Sequence, residues 1–183
     1  VLPVGAKGAH AVCEVLRYFA RVADALHSAH QMGVIHRDVK PGNLMVQPDA
    51  APMVLDFGLA AAVEASADAI TMPGDIFGTP AYMAPEQIDV GLAPSGPTTD
   101  LHALAVCLLS GGGSRGSLFR EIFSRGPLDL LRLRTDLPSD LGVVLGKAMQ
   151  KDPRHRYPSC AAFAADLCAI VELRPIAARP TPL

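Results

Sequence analysis

The sequence contains no tryptophan, three tyrosines and six phenylalanines. Lysine is almost as scarce: among sixteen basic residues it occurs only at positions 7, 40, 147 and 151. With a net charge of −2, nothing suggests the basic patch of a nucleic-acid-binding protein. The four cysteines, Cys13, Cys107, Cys160 and Cys168, form no CxxC pair and no metal-ligand spacing. Three of them sit in apolar periodic segments, where a free thiol behaves as a small buried hydrophobe. Thiols of that kind fit a reducing, cytoplasmic setting. No apolar run reaches the length that spans a bilayer, and the longest, Leu101–Leu109, is interrupted by His102. A signal peptide is absent, and the chain opens on Val1 rather than Met, which reads as a processed or truncated piece.

What remains is globular. The 183 residues are 50% hydrophobic and 19% charged, enough for one compact domain with a real core. From His10 to Met32, apolar residues recur at helical spacing (Val12, Val15, Leu16, Phe19, Ala23, Leu26), and Gly33 follows as a stop. Leu44–Val46 and Met53–Leu55 read as short strands around the turn-like QPDAA. The stretch from Ala60 to Pro80, rich in small residues, reads as a long loop of the kind that compact domains keep for function. Thr99–Ser110 is a nearly continuous apolar run, which predicts a helix buried on every side. A short helix is expected over Leu118–Ser124. Ser139 and Ser159 are candidate N-caps of two further helices, the first stopped by Asp152–Pro153. Beyond Leu173 the chain becomes RPIAARPTPL, a Pro-rich tail or linker. There is no internal repeat.

Five features stand out in order: HRDVKPGN at 36–43, DFG at 56–58, GTPAYMAPE at 78–86, Asp100 and Arg156. Together they closely resemble the C-terminal lobe of eukaryotic-type serine/threonine protein kinases, with wording of a bacterial cast such as YMAPEQ. The resemblance runs from about His10 to Leu173 and follows the known signature set of that family. It implies an α+β, protein-kinase-like fold in which this chain is the mainly helical C-lobe with a small hairpin at the catalytic cleft. Residues 1–9 are then an N-terminal remnant, 10–173 the lobe, with a catalytic loop at 36–43 and an activation segment at 56–86, and 174–183 the tail.

The chemistry implied is transfer of the ATP γ-phosphoryl group to protein Ser/Thr hydroxyls with Mg²⁺. A carboxylate at Asp38 suits the task of orienting the acceptor hydroxyl and accepting its proton. Lys40 offsets charge on the transferring group. Asn43 and Asp56 supply hard oxygens for Mg²⁺. Met45 takes the place that contacts the adenine ring, and Thr79 bridges the catalytic Asp and Lys. Lys40 and Thr79 are the features that select Ser/Thr over Tyr. Thr71 is a candidate activating phosphothreonine, with Arg37 as the cation to pair with it; Ser66 is a weaker candidate. His36 and Phe57 are expected to pack in an apolar column rather than to catalyse. Glu86 and Arg156 are expected to form a buried ion pair. Asp100 is expected to accept backbone hydrogen bonds from the turn at 36–37.

The pattern departs from the family at one large point. The family also has a β-rich N-lobe with a Gly-rich loop, a strand lysine and a helix glutamate. Here the only early glycine cluster is GAKGAH, which fits neither GxGxxG nor GxxxxGK[ST], and Lys7 has no strand around it. Smaller departures are His102 where an aromatic is usual, Ala105 where Gly is usual, and a short span from Asp100 to the DLP at 136–138. Two readings follow. The first is a catalytic C-lobe, cytoplasmic, whose full-length protein uses ATP and protein substrates and could be anchored in a membrane through a segment beyond Leu183. The second is a non-catalytic kinase-like binding module or truncated fragment, its cleft floor at Met45 laid open.

Overall fold

The computed structural model describes residues 6–47, 51–57, 80–89, 91–109 and 138–179. The expected loop at 60–80, apart from Pro80, the helix at 118–124, Ser66, Thr71 and Thr79 lie outside them. Five helices and one hairpin make up the described architecture: α1 (Ala6–Gln31), β1 (Leu44–Val46), β2 (Pro52–Val54), α2 (Pro85–Ile88), α3 (Pro97–Leu109), α4 (Ser139–Ala148) and α5 (Cys160–Val171). The described residues are therefore mainly helical with a two-stranded antiparallel sheet, as the resemblance to a C-lobe implied.

Helix α3 is the axis. Leu101, Leu104, Ala105 and Cys107 have no exposed surface, and the helix touches α1, α4 and α5. That explains why the helix is apolar from Ala103 to Leu109, its buried polar residues Thr99, Asp100 and His102 being confined to the first turns. Against it α1 buries Val12, Leu16, Phe19, Ala23 and Leu26, the stripe its spacing announced. Helix α5 adds Phe163, Leu167 and Ile170, and α4 adds Leu141, Val144 and Leu145.

The stops are chemically explicit. Gly33 adopts φ +77° at the end of α1, where its N–H reaches His30 O and that of Val34 reaches Ala29 O, both at 3.0 Å. This paired arrangement closes a helix only if the residue after it accepts a left-handed backbone. Ser159 caps α5 by accepting a hydrogen bond from Ala162 N at 3.2 Å. Ser139 is instead the first residue of α4, with Pro138 in the cap position and no side-chain bond. Proline at the cap has no side-chain oxygen to receive an N–H, so α4 begins without a side-chain cap. The second strand also runs one residue earlier than its sequence suggests, because Val46 pairs with Pro52 and Leu44 with Val54.

The Pro-rich end is partly docked. Ala177 N and Ala178 N donate to the buried carboxylate of Asp166 at 2.7 and 2.9 Å, and Tyr157 Oη donates to it at 2.8 Å. Burial first, and then the bond to Asp166, push the Tyr157 hydroxyl well above its ordinary range. Asp166 thus fastens the chain end to the segment that carries Arg156. Tyr157→Phe removes one bond to a buried charge, and is expected to cost about 1.5–3 kcal/mol by urea unfolding. A loss under a few tenths contradicts this latch.

Candidate active site

The site begins where α1 stops. Three residues past Gly33, the chain makes a turn in which Arg37 takes φ +65°, a left-handed conformation that costs a non-glycine residue roughly 1–2 kcal/mol. The turn is held by Asp100, one turn into α3. Its Oδ2 accepts from His36 N at 2.8 Å and its Oδ1 from Arg37 N at 2.7 Å. His30 Nε2, on the last turn of α1, donates to the same Oδ2 at 2.8 Å. The carboxylate is wholly buried, so these bonds are what keep its charge tolerable.

His36 is buried and fixed in one tautomer. Its Nε2 donates to Leu55 O at 2.7 Å, and its Nδ1 accepts from Asp38 N at 3.3 Å. An imidazole so engaged has no free position for a base's work. It links the 36–43 loop to the strand that leads to Asp56, and its ring meets Phe57 at 4.7 Å between centroids. Phe57 is 39% exposed.

Asp38, Lys40 and Asn43 form one cluster. Lys40 Nζ lies 2.6 Å from Asp38 Oδ2, and Asn43 Nδ2 donates to Asp38 O at 2.9 Å and to Oδ2 at 3.3 Å. The Asp38 side chain remains one-third open to solvent. A single turn of 3-10 helix, Pro41–Asn43, brings Asn43 back over Asp38. The hairpin then returns the chain, and Leu55 N donates to Asn43 O at 2.8 Å. Asp56 is therefore the residue after Asn43's backbone partner. It is exposed and adopts φ +60°. Among the described residues no group of three or more His, Cys, Asp and Glu could hold a metal. The chemistry of the Asn43–Asp56 pair nonetheless fits Mg²⁺. This ion takes one or two protein oxygens and completes its shell with phosphates and water. With its amide nitrogen committed to Asp38, Asn43 presents its carbonyl oxygen.

The end of the 56–86 segment is anchored beneath this cluster. Glu86 and Arg156, 70 residues apart, meet in two bonds of 2.7 Å with no exposed side-chain surface on either. Thr99 Oγ1 adds a third bond to Glu86 at 2.9 Å. Arg156 spends its other donors on the carbonyls of Thr98, Gln150 and Lys151. Burial raises the Glu86 carboxyl, but the bonds from Arg156, its own backbone and Thr99 outweigh it, and the group ends below its usual 4.5. His102 lies on the same helix as Thr99. Burial, then the Arg156 charge, depress it to about 4, against a smaller pull upward from Glu86. Its Nδ1 is buried with no hydrogen-bond partner.

Sequence reasoning passed over His30, Gln87 and Thr99, all of which enter this network. His30 and Thr99 belong to no quoted string, and Gln87 only ends YMAPEQ. The one available signal was Gln87 directly after the APE of GTPAYMAPE. Met45, expected under an adenine ring, lies half exposed on the hairpin, as do Val46 and Met53 in part. Thr71 and Thr79 are outside the described residues.

A family model described as "Protein kinase domain" matches residues 4–112. The chain is 32% identical over 163 residues to serine/threonine-protein kinase PknB of Mycobacterium tuberculosis, covering 85% of this chain and 26% of that protein. It is 36% identical over 171 residues to serine/threonine-protein kinase PknL of the same organism, covering 89% of this chain and 41% of that one. The crystal structure of the Mycobacterium tuberculosis PknI kinase domain superposes with a TM-score of 0.62 at 32% identity, over 86% of this chain and 55% of that one. The chain thus spans well under half the length of these curated relatives.

Two predictions follow from the buried pair. Arg156→Ala leaves Glu86 buried and uncompensated, and is expected to cost about 3–5 kcal/mol in chemical unfolding; a loss below 1 contradicts it. His102 and Glu86 both bind protons less readily folded than unfolded. The His102 contribution is complete above pH 6.5 and is lost as pH falls towards about 4. That of Glu86 is complete above 4.5 and is lost below it. Stability should fall by about 3 kcal/mol between pH 6.5 and 4 through His102 alone. His102→Gln should flatten that slope, and an unchanged slope contradicts the assignment.

Proposed function

We propose, on the premise that this chain belongs to the protein kinase family, that it is the phosphoacceptor half of a Ser/Thr kinase site and that by itself it is a kinase-like module without turnover. In this reading Asp38 orients the substrate hydroxyl and accepts its proton. With Oδ2 engaged by Lys40 and Asn43, Oδ1 is the oxygen presented to that hydroxyl. Lys40, held 2.6 Å from Asp38, moves its charge towards the transferring phosphoryl as that group develops charge. Asn43 and Asp56 hold Mg²⁺, which when bound offsets the phosphate charge. Met45 meets the adenine, Thr79 bridges Asp38 and Lys40, and a phosphorylated Thr71 pairs with Arg37.

The single observation that carries the non-catalytic half of the proposal is the open hairpin. Met45 is 50% and Val46 61% exposed, and among the described residues the only sheet is two-stranded. Nothing there closes over a nucleotide. Phosphoryl transfer depends on positioning more than on covalent help from the protein, so a half-site leaves the reaction without its main advantage. We place the domain in the cytoplasm, on its free thiols. No helix among the described residues is long and apolar enough to cross a membrane.

Calorimetry of the chain with Mg·ATP is the test. The expected dissociation constant is about millimolar or weaker, which corresponds to roughly −4 kcal/mol. A micromolar constant means that the chain clamps ATP unaided and overturns the non-catalytic reading.

A further inference from the structure

Gln87 follows the APE string, and neither charge nor nucleophilicity gives it a role in the chemistry above. Its side chain is nevertheless fully committed. Nε2 donates to Arg37 O at 2.8 Å, and Oε1 accepts from Ala84 N at 3.0 Å. The orientation of the amide is unambiguous, because Arg37 O can only accept and Ala84 N can only donate. The bond to Ala84 is half of a capping box: the Ala84 side chain has no oxygen to receive Gln87 N, which donates instead to Ala84 O at 2.9 Å.

The other bond falls on the peptide that carries Asp38. Arg37 O and Asp38 N belong to one planar unit. Its carbonyl is taken by Gln87 and its N–H by His36 Nδ1 at 3.3 Å. The preceding N–H, that of Arg37, is taken by Asp100 at 2.7 Å. The strained turn at Arg37, φ +65°, is therefore clamped from three directions. Asp100 clamps it from the central helix and His36 from within the loop. Gln87 is the clamp that comes from the end of the 56–86 segment.

We propose that Gln87 is a positioning residue for Asp38, coupling the placement of helix α2 to the orientation of the Arg37–Asp38 peptide through the two ends of one amide. This rests on the reading of Asp38 as the carboxylate that faces the acceptor hydroxyl. The neighbouring Glu86–Arg156 pair fixes α2 to the helical core, and Gln87 passes that fixity across to the loop. A displacement of residues 84–87 pulls directly on the carbonyl of Arg37.

The two bonds can be separated by substitution. Gln87→Glu keeps an acceptor for Ala84 N but turns an oxygen towards Arg37 O, so it preserves the cap and breaks the clamp. Gln87→Met keeps the length of the side chain and loses both bonds. Amide hydrogen exchange of the ¹⁵N-labelled chain at pH 7 reads each site separately. In Gln87→Glu, Arg37 and Asp38 should exchange about tenfold faster, while Ala84 and Leu167 of α5 keep their wild-type rates. In Gln87→Met, Ala84 should accelerate as well. Unchanged rates at Arg37 and Asp38 in both variants overturn the proposal and leave Gln87 a helix cap. Equal acceleration at Leu167 overturns it too, because the effect is then global. The readout is an amide rate and not phosphotransfer, so failure here leaves the reading of Asp38 standing. If that reading fails instead, the clamp is still measurable but positions no reacting group.

Discussion

One buried carboxylate organises the site. Asp100 sits inside the helical core without exposed surface and is compensated by three donors: the backbone N–H groups of His36 and Arg37, and His30 Nε2. An ionised group at that depth is tolerable only if each of its oxygens is engaged. The need works in both directions. The carboxylate requires the turn, and the turn, which carries a left-handed arginine, requires the carboxylate. From this mutual dependence follow the direction of Asp38, the return of Asn43 over it, and the start of the hairpin that ends at Asp56.

Glu86 and Arg156 apply the same logic one layer below. A bidentate pair in which both side chains are fully buried contributes little net stability, yet it cannot be broken cheaply, and so it fixes geometry. Thr99 joins it to α3, one residue before Asp100. The two buried charge clusters are thus adjacent on one helix. Asp100 then holds the N–H of Arg37 and Gln87 its carbonyl. The cleft side is the reverse: short strands, exposed methionines and a partly exposed Phe57.

Much of this was legible in the sequence, for a physical reason. A helix buried on all sides has few polar residues, and Ala103–Leu109 has none; Thr99, Asp100 and His102 stand in its first turns. A helix that stops on a left-handed residue needs glycine, and Gly33 stands there. The strings around Asp38, Asp56 and Glu86 name which residues matter, since their chemistry dictates residue type. Spacing does not name which atoms meet. That His36 is locked by Leu55 O, that Gln87 spans two segments, and that Asp166 gathers Tyr157 with the chain end all depend on tertiary placement. Histidine and glutamine have no periodic signature to betray such roles. Docking of the Pro-rich end was hidden for the same reason, because backbone donors leave no mark in a sequence.

The most direct measurement is to join the nucleotide-clamping lobe of a related Ser/Thr kinase to the N-terminal side of this chain and follow transfer of the labelled γ-phosphoryl group from Mg·ATP to a Ser/Thr peptide. If the half-site is preformed and lacks only its clamp, the joined protein transfers phosphate, Asp38→Asn abolishes the transfer, and the chain alone stays silent. A joined protein that folds and binds Mg·ATP but transfers nothing would contradict this, and would make the clustered Asp38, Lys40 and Asn43 a scaffold rather than a reaction centre.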